Sequence, residues 1–340
     1  MKNIVSLSGG RTSAYLAHIM KEKDPETEFI FMDTGAEHPK TYEFIRNIVR
    51  HWKIRLTCLR VIPNPEMNKP STYEILSIEQ IGPDLEPWKR MLKKYGHPYV
   101  GGAFCTDRMK TVPFIKYCDE HFGRGNYTTW LGMRIDEPAR LWGGELYKSM
   151  IEAGLTKDEV ATAYIKSMEC IQNTSPDWLR IDLVKEHGIP LHLIDRAMKR
   201  LAQCVKDRIR YLAEISDFEK QDVIEWWKEQ PFDLEIQEHL GNCVFCIKKS
   251  LQKVALAEKD EPVLAAQFIQ TLHDFDAKQD KVMYRSNNSL EQVIALFSDT
   301  GRDELASRMT SMRQYDTGSC SESCEAFSGQ MGFDFSMEAA

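Results

Sequence analysis

The chain has 340 residues with a net charge of −7, of which 42% are hydrophobic and 28% charged. That composition is that of a globular enzyme with one large domain or two smaller ones, and the acidic balance excludes a global field attracting nucleic acid. No run approaches the eighteen or so apolar residues of a membrane span. Met1 and Lys2 lead straight into a strand-like run, unlike a signal peptide, so the expected location is cytoplasmic with no membrane partner.

In chain order, Asn3–Ser8 is a predicted buried strand and Thr12–Lys23 a helix. Glu28–Gly35 is a second strand ending in a turn, and Pro39–Trp52 a helix with its proline in the first turn. Arg55–Ile62 is a third strand. This alternation predicts an α/β, doubly wound, mostly parallel sheet. Lys89–His97 is a basic run that suits a solvated helix face. Thr128–Arg134 and Arg208–Ile215 are further strands, and Glu137–Lys206 between them is helical, with caps at Thr156 and Ser175. The expected organisation is a nucleotide-binding α/β domain (1–136 and 207–233) and a helical insertion (137–206). A cysteine-containing C-terminal region (234–327) and a disordered tail (328–340) follow.

The first strand ends on Ser8, Gly9, Gly10, Arg11, Thr12 and Ser13, which open the first helix. Ligands of open α/β sheets bind at that edge. Glycines let backbone N–H groups approach an anion, and the helix N-terminus adds partial positive charge. Ser8, Thr12 and Ser13 offer hydroxyls and Arg11 a cation, so the stretch is a phosphate cup; a plain capped glycine turn is the competing reading. No G-K-[ST] follows, which excludes a P-loop.

"SLSGGRTSAYL" resembles the PP-loop of the N-type ATP pyrophosphatases, and more closely the phosphoadenosine phosphosulfate (PAPS) reductase family among them. Four more segments, in order, carry the resemblance: Phe31–Ile45, Phe104–Phe114, Leu131–Leu141 and Gly241–Ser250. It implies an adenine nucleotide, ATP or PAPS, with Asp33, Thr34 and Gly35 beside the ribose or base. Arg108, Lys110, Arg134 and Arg140 would neutralise its phosphates or phosphosulfate, Arg108 and Lys110 taking part in catalysis; arginine suits bidentate oxygen recognition. Glu137 holds Arg140 or only starts a helix, and His38 is the one histidine expected near the nucleotide. Two departures stand out. Thr12 occupies a place where many PP-loops carry Asp, and the nucleophilic-cysteine tail of true reductases is missing, Ser321–Phe327 being the nearest stretch.

Of nine cysteines, Cys58, Cys118, Cys170 and Cys204 stand alone and suit small buried positions. Cys243-x-x-Cys246 and Cys320-x3-Cys324 make two pairs with chelating spacing, for zinc as a clamp or for an iron–sulfur cluster. The resemblance implies a second set, in which Cys105 joins Cys243, Cys246 and either Cys320 or Cys324 on a [4Fe–4S] cluster, leaving the remaining one as nucleophile or sulfur carrier. Cys324 is the candidate catalytic thiol. Mg2+ is expected if ATP is the substrate.

Two functions compete. The first is an enzyme of sulfur metabolism, which either activates an acceptor by adenylation with release of pyrophosphate or reduces a sulfonucleotide. Its partners would be a thiol reductant or sulfur-donor protein and, in the adenylating case, a nucleic-acid acceptor. The second is a non-catalytic nucleotide-sensing or nucleic-acid-associated module with structural zinc.

Overall fold

The computed structural model describes residues 1–99, 104–173, 186–274 and 283–312. Strand β1 (Lys2–Leu7) runs into helix α1 (Arg11–Lys23), β2 (Glu28–Met32) into α2 (Pro39–Trp52), and β3 (Leu56–Ile62) follows. A strand β4 (Thr72–Leu76) returns antiparallel beside β3, and α3 (Glu86–Tyr95) comes next. A π-helical turn, Asp107–Thr111, leads into α4 (Val112–Phe122), then β5 (Tyr127–Leu131). Helices α5 (Gly144–Glu152), α6 (Lys157–Asn173) and α7 (Leu191–Lys206) precede β6 (Ile209–Tyr211). Helix α8 (Lys220–Lys228) is followed by α9 (Leu251–Asp260), α10 (Pro262–His273), α11 (Leu290–Leu296) and α12 (Arg302–Met312).

The six strands stand in the order β4-β3-β2-β1-β5-β6, all parallel except β4. From β1 the chain winds outward through β2 and β3, then resumes on the other side of β1 with β5 and β6. The order therefore reverses between β1 and β5, and that switch point opens a crevice at the carboxyl edge. The predicted doubly wound α/β sheet is the observed one. Antiparallel β4 was not expected, and β6 is three residues where eight were predicted.

Alternating burial explains the layers. Val5 and Leu7 face α1 together with Leu16, Met20 and Trp227, while Ile4 and Ile30 face α4 with Phe114 and Cys118. The helices after β5 bury a cluster of their own around Trp142, Met150, Tyr164 and Leu201. Thr156 caps α6 as predicted, exchanging hydrogen bonds with Glu159; Ser175 lies outside the described residues. The residues after Gly241 pack on α3 through Trp88, Phe245, Phe268 and Tyr284. Cys58, Cys118 and Cys204 are buried as expected, and burial pushes the Cys58 thiol up to about 12, which leaves it inert. No helix among the described residues is long and apolar enough to cross a membrane.

Candidate functional site

The turn after β1 is built by its hydroxyls. Ser13 Oγ donates to Gly10 O at 3.0 Å and accepts from Ser8 N at 3.0 Å and Ser8 Oγ at 2.9 Å. Gly9 sits at φ +83°, and a Cβ there would come within 2.7 Å of Thr41 on α2. Only glycine meets both demands. Gly10 takes the N-cap place of α1 in an extended conformation with no side-chain cap, so the first N–H groups of a thirteen-residue helix keep their partial positive charge at the crevice.

Across the switch point, the stretch after β5 answers it. Arg134 is 5% exposed and donates through Nη1 to Thr12 Oγ1 at 2.9 Å. Asp136 fixes its other side, at 2.8 Å from Nε, and Glu137 accepts from the Arg134 N–H at 3.0 Å. Glu137 also pairs with Arg140, the holding role weighed for it. Burial pushes the Glu137 carboxyl up, but Arg140, Arg134 and the N–H pull it, on balance, below the usual carboxylate range. Arg134 and Arg140 are thus fixed cations at the β5 edge.

Arg11 is differently placed. Its guanidinium clamps Asp233 in a bidentate pair at 2.7 and 2.9 Å and also bonds Leu234 O. Its charge is therefore shared with a carboxylate, unlike the cation over the phosphate cup that the sequence suggested. Trp227 Nε1 donates to Arg11 O at 3.0 Å, securing the same turn.

Beyond β2 lies a buried polar network. Asp33 accepts from Arg60 at 2.5 Å, from Tyr42 at 3.0 Å and from Gly35 N at 2.9 Å. Burial nevertheless pushes Asp33 up to about 6; Arg60 pulls it down and Glu37 adds to the rise. Arg60 also pairs with Asp84 at 2.9 Å. Thr34 donates to Glu37 at 2.7 Å, and the single Tyr42 hydroxyl proton is shared between Asp33 and Glu37, each 3.0 Å from Oη. Gly35, at φ +69°, lies against Asp84 and Leu85, and its carbonyl accepts from Leu85 N. The side chains of Asp33 and Thr34 thus serve this network.

Lys110 is 4% exposed with Nζ 3.8 Å from Glu37, at the end of the π-helical turn. Arg108 on that turn is exposed and stacks its guanidinium 4.2 Å over Tyr95. His38 accepts from Lys40 N through Nδ1 and meets Glu261 at 3.0 Å through Nε2. Nδ1 as acceptor puts a proton on Nε2, so His38 caps α2 and ties it to Glu261. In the basic run, Arg90 pairs with Glu74 and Glu86 on a helix surface, consistent with a solvated face.

Cys105, Cys243 and Cys246 lie in one buried cluster. Cys243 and Cys246 occupy a tight turn, Cys246 N donating to Cys243 O at 3.1 Å. The turn joins the β2 edge: Val244 N donates to Ala36 O, and Cys243 Sγ is 3.4 Å from Thr34 Oγ1. Among the described residues no group of three His, Cys, Asp or Glu side chains is arranged to hold a metal. Cys320 and Cys324 lie outside the described residues.

Sequence reasoning missed Arg60, Glu37, Tyr42, Asp84 and Asp233. Arg60 left one trace, a charged residue inside the apolar run of β3, since a cation in a buried strand demands a carboxylate partner.

The family model for the phosphoadenosine phosphosulfate reductase domain matches residues 2–142. The chain is also 45% identical over 352 residues to the uncharacterized nin region protein ORF290 of Escherichia phage lambda, covering all of both chains. No solved structure matches it.

Proposed function

Because the chain belongs to the phosphoadenosine phosphosulfate reductase family, we propose that it is an enzyme that binds ATP or PAPS at the β1–β5 switch point. The observation that carries this reading is the Arg134–Thr12 hydrogen bond at 2.9 Å. It joins the two loops that flank the crevice and sets a fixed guanidinium beside a helix N-terminus. An anion there meets preorganised N–H dipoles and a cation together, which stabilises charge as it develops on a leaving pyrophosphate or on a sulfate undergoing attack.

Of the two chemistries, nucleotide activation is the one we favour. An acceptor oxygen would attack the α-phosphorus, and pyrophosphate would leave onto the N–H groups of residues 9–13 and the guanidiniums of Arg134 and Arg140. The deep burial of Cys58 and Cys118 supports this choice. The acceptor, any sulfur donor and a nucleic-acid partner belong to the same proposal. A cluster or zinc held by Cys105, Cys243, Cys246 and a tail cysteine is a separate proposal. Iron, sulfide and zinc counted per chain after anaerobic purification decide it, about four irons indicating the cubane.

The test is paired assays on one preparation: exchange of labelled pyrophosphate into ATP, and release of sulfite from PAPS with a thiol reductant. Exchange without sulfite release supports activation; sulfite release alone overturns it in favour of reduction. Arg134→Gln should weaken nucleotide binding about tenfold or more, the worth of a charge-assisted hydrogen bond. Unchanged affinity would remove Arg134 from the site.

A further inference from the structure

The hydrogen bonds at the switch point close into a circuit. Arg134 Nη1 donates to Thr12 Oγ1 at 2.9 Å, and Arg134 Nε donates to Asp136 Oδ1 at 2.8 Å. The other carboxylate oxygen, Oδ2, accepts from Lys220 N at 3.3 Å. Lys220 is the first residue of α8, so its N–H has no acceptor within the helix, and a carboxylate there also meets the positive end of the helix dipole. In the last turn of the same helix, Trp227 Nε1 donates to Arg11 O at 3.0 Å. Arg11 adjoins Thr12, where the circuit began.

The span between the two ties is stiff. Helix α8 runs unbroken for nine residues. Trp227 is fully buried, its ring held by Phe44, Trp52 and Phe232 at centroid distances of 4.9, 5.7 and 5.7 Å. Just before the helix, Phe218 stacks on Tyr15 of α1 at 4.8 Å. Any shift of α8 against α1 breaks this packing, and Arg134 is tied through Asp136 to the first residue of α8. A charge that must meet a ligand in one place is effective only when its supports are themselves fixed.

We propose that α8 is a strut for the anion site, with Asp136 and Trp227 as positioning residues that hold Arg134 in register with the start of α1. This rests on the nucleotide reading and adds to it the reason that guanidinium and helix N-terminus face one ligand. Neither residue is a ligand contact; both act through Arg134.

The test is a pair of double-mutant cycles read as ligand affinity. Trp227→Phe keeps an aromatic ring in place, removes the N–H and leaves the charge of the site unchanged. Asp136→Asn keeps an acceptor for Lys220 N and loses the paired grip on Arg134. Each is measured alone and in the Arg134→Gln background, by calorimetry with ATP, PAPS and inorganic pyrophosphate below the melting transition. Each should weaken binding about threefold to tenfold alone, and less than about twofold once Arg134 is gone, because residues that act through one another are non-additive. Equal or tighter binding in either single variant, or losses that multiply in full in the Arg134→Gln background, would overturn the proposal. Should Trp227→Phe fail to fold, the Asp136→Asn cycle decides alone. If wild type binds pyrophosphate but neither nucleotide, and the losses vanish without Arg134, the strut stands and the nucleotide reading falls. If wild type binds none of the three, both fall.

Discussion

Asp33 does more inside the protein than its place at a strand end announced. Its carboxylate is fully engaged by Arg60, Tyr42 and Gly35 N–H, yet burial is the larger influence and raises it from 3.8 to about 6. The folded protein therefore holds this proton more tightly than the unfolded chain does. The stability it contributes is complete below about pH 4 and is lost as pH rises through about 6. In denaturant titrations from pH 4 to 7, the stability difference between wild type and Asp33→Asn should fall across that window and then level off. Parallel profiles would show that Asp33 does not titrate there. Asp33 was legible as a residue at a strand end, but its partners were not. Arg60 lies 27 positions on and reaches it only because β3 pairs with β2. Arg11 misled for a related reason, since its partner Asp233 is 222 positions away.

At the scale of elements, local signals worked where local physics decides. Helix α2 begins at Pro39 and ends at Trp52 as expected, with proline fixed in its first turn and an apolar stripe of Tyr42, Ile45 and Ile48 buried. Strand β4 escaped because none of its residues is fully buried and its pairing with β3 is set by the intervening loop. The turn after β1 was legible as a glycine turn, and its need for glycine is now explicit. Gly9→Ala forces an L-residue into φ +83° and drives its Cβ onto Thr41. It should cost about 1–3 kcal/mol of stability, read from the shift in denaturation midpoint, and weaken nucleotide binding as α1 and α2 separate. A change under about 0.5 kcal/mol, the range of neutral surface substitutions, would mean that the turn is looser than this packing implies.

For the whole molecule, the sheet order converts two distant loops into one site. Strand β1 and strand β5 are paired neighbours, so Ser8–Ser13 and Gly132–Arg140 emerge together at the carboxyl edge. The alternation of strands and helices announced that edge; the neighbours of β1 could not be read from it. The later half of the chain then braces the same edge through Arg11–Asp233, His38–Glu261 and Val244 N to Ala36 O. Such contacts span more than 200 positions and leave no periodic mark in the sequence.

The central claim is that an anionic nucleotide rests on the start of α1, and Gly10→Asp tests it most directly. Gly10 is an N-cap with φ −94° and ψ 160° and no side-chain cap, a conformation any residue adopts. Aspartate is among the best caps, so the variant should fold with equal or greater stability. It also sets a carboxylate in the mouth of the cup. Calorimetry should therefore find ATP and PAPS binding in wild type and at least a hundredfold loss in Gly10→Asp at an unchanged or higher melting temperature, about 3 kcal/mol by the usual conversion. Binding that survives the added charge, or a wild type that binds neither nucleotide, would contradict the account.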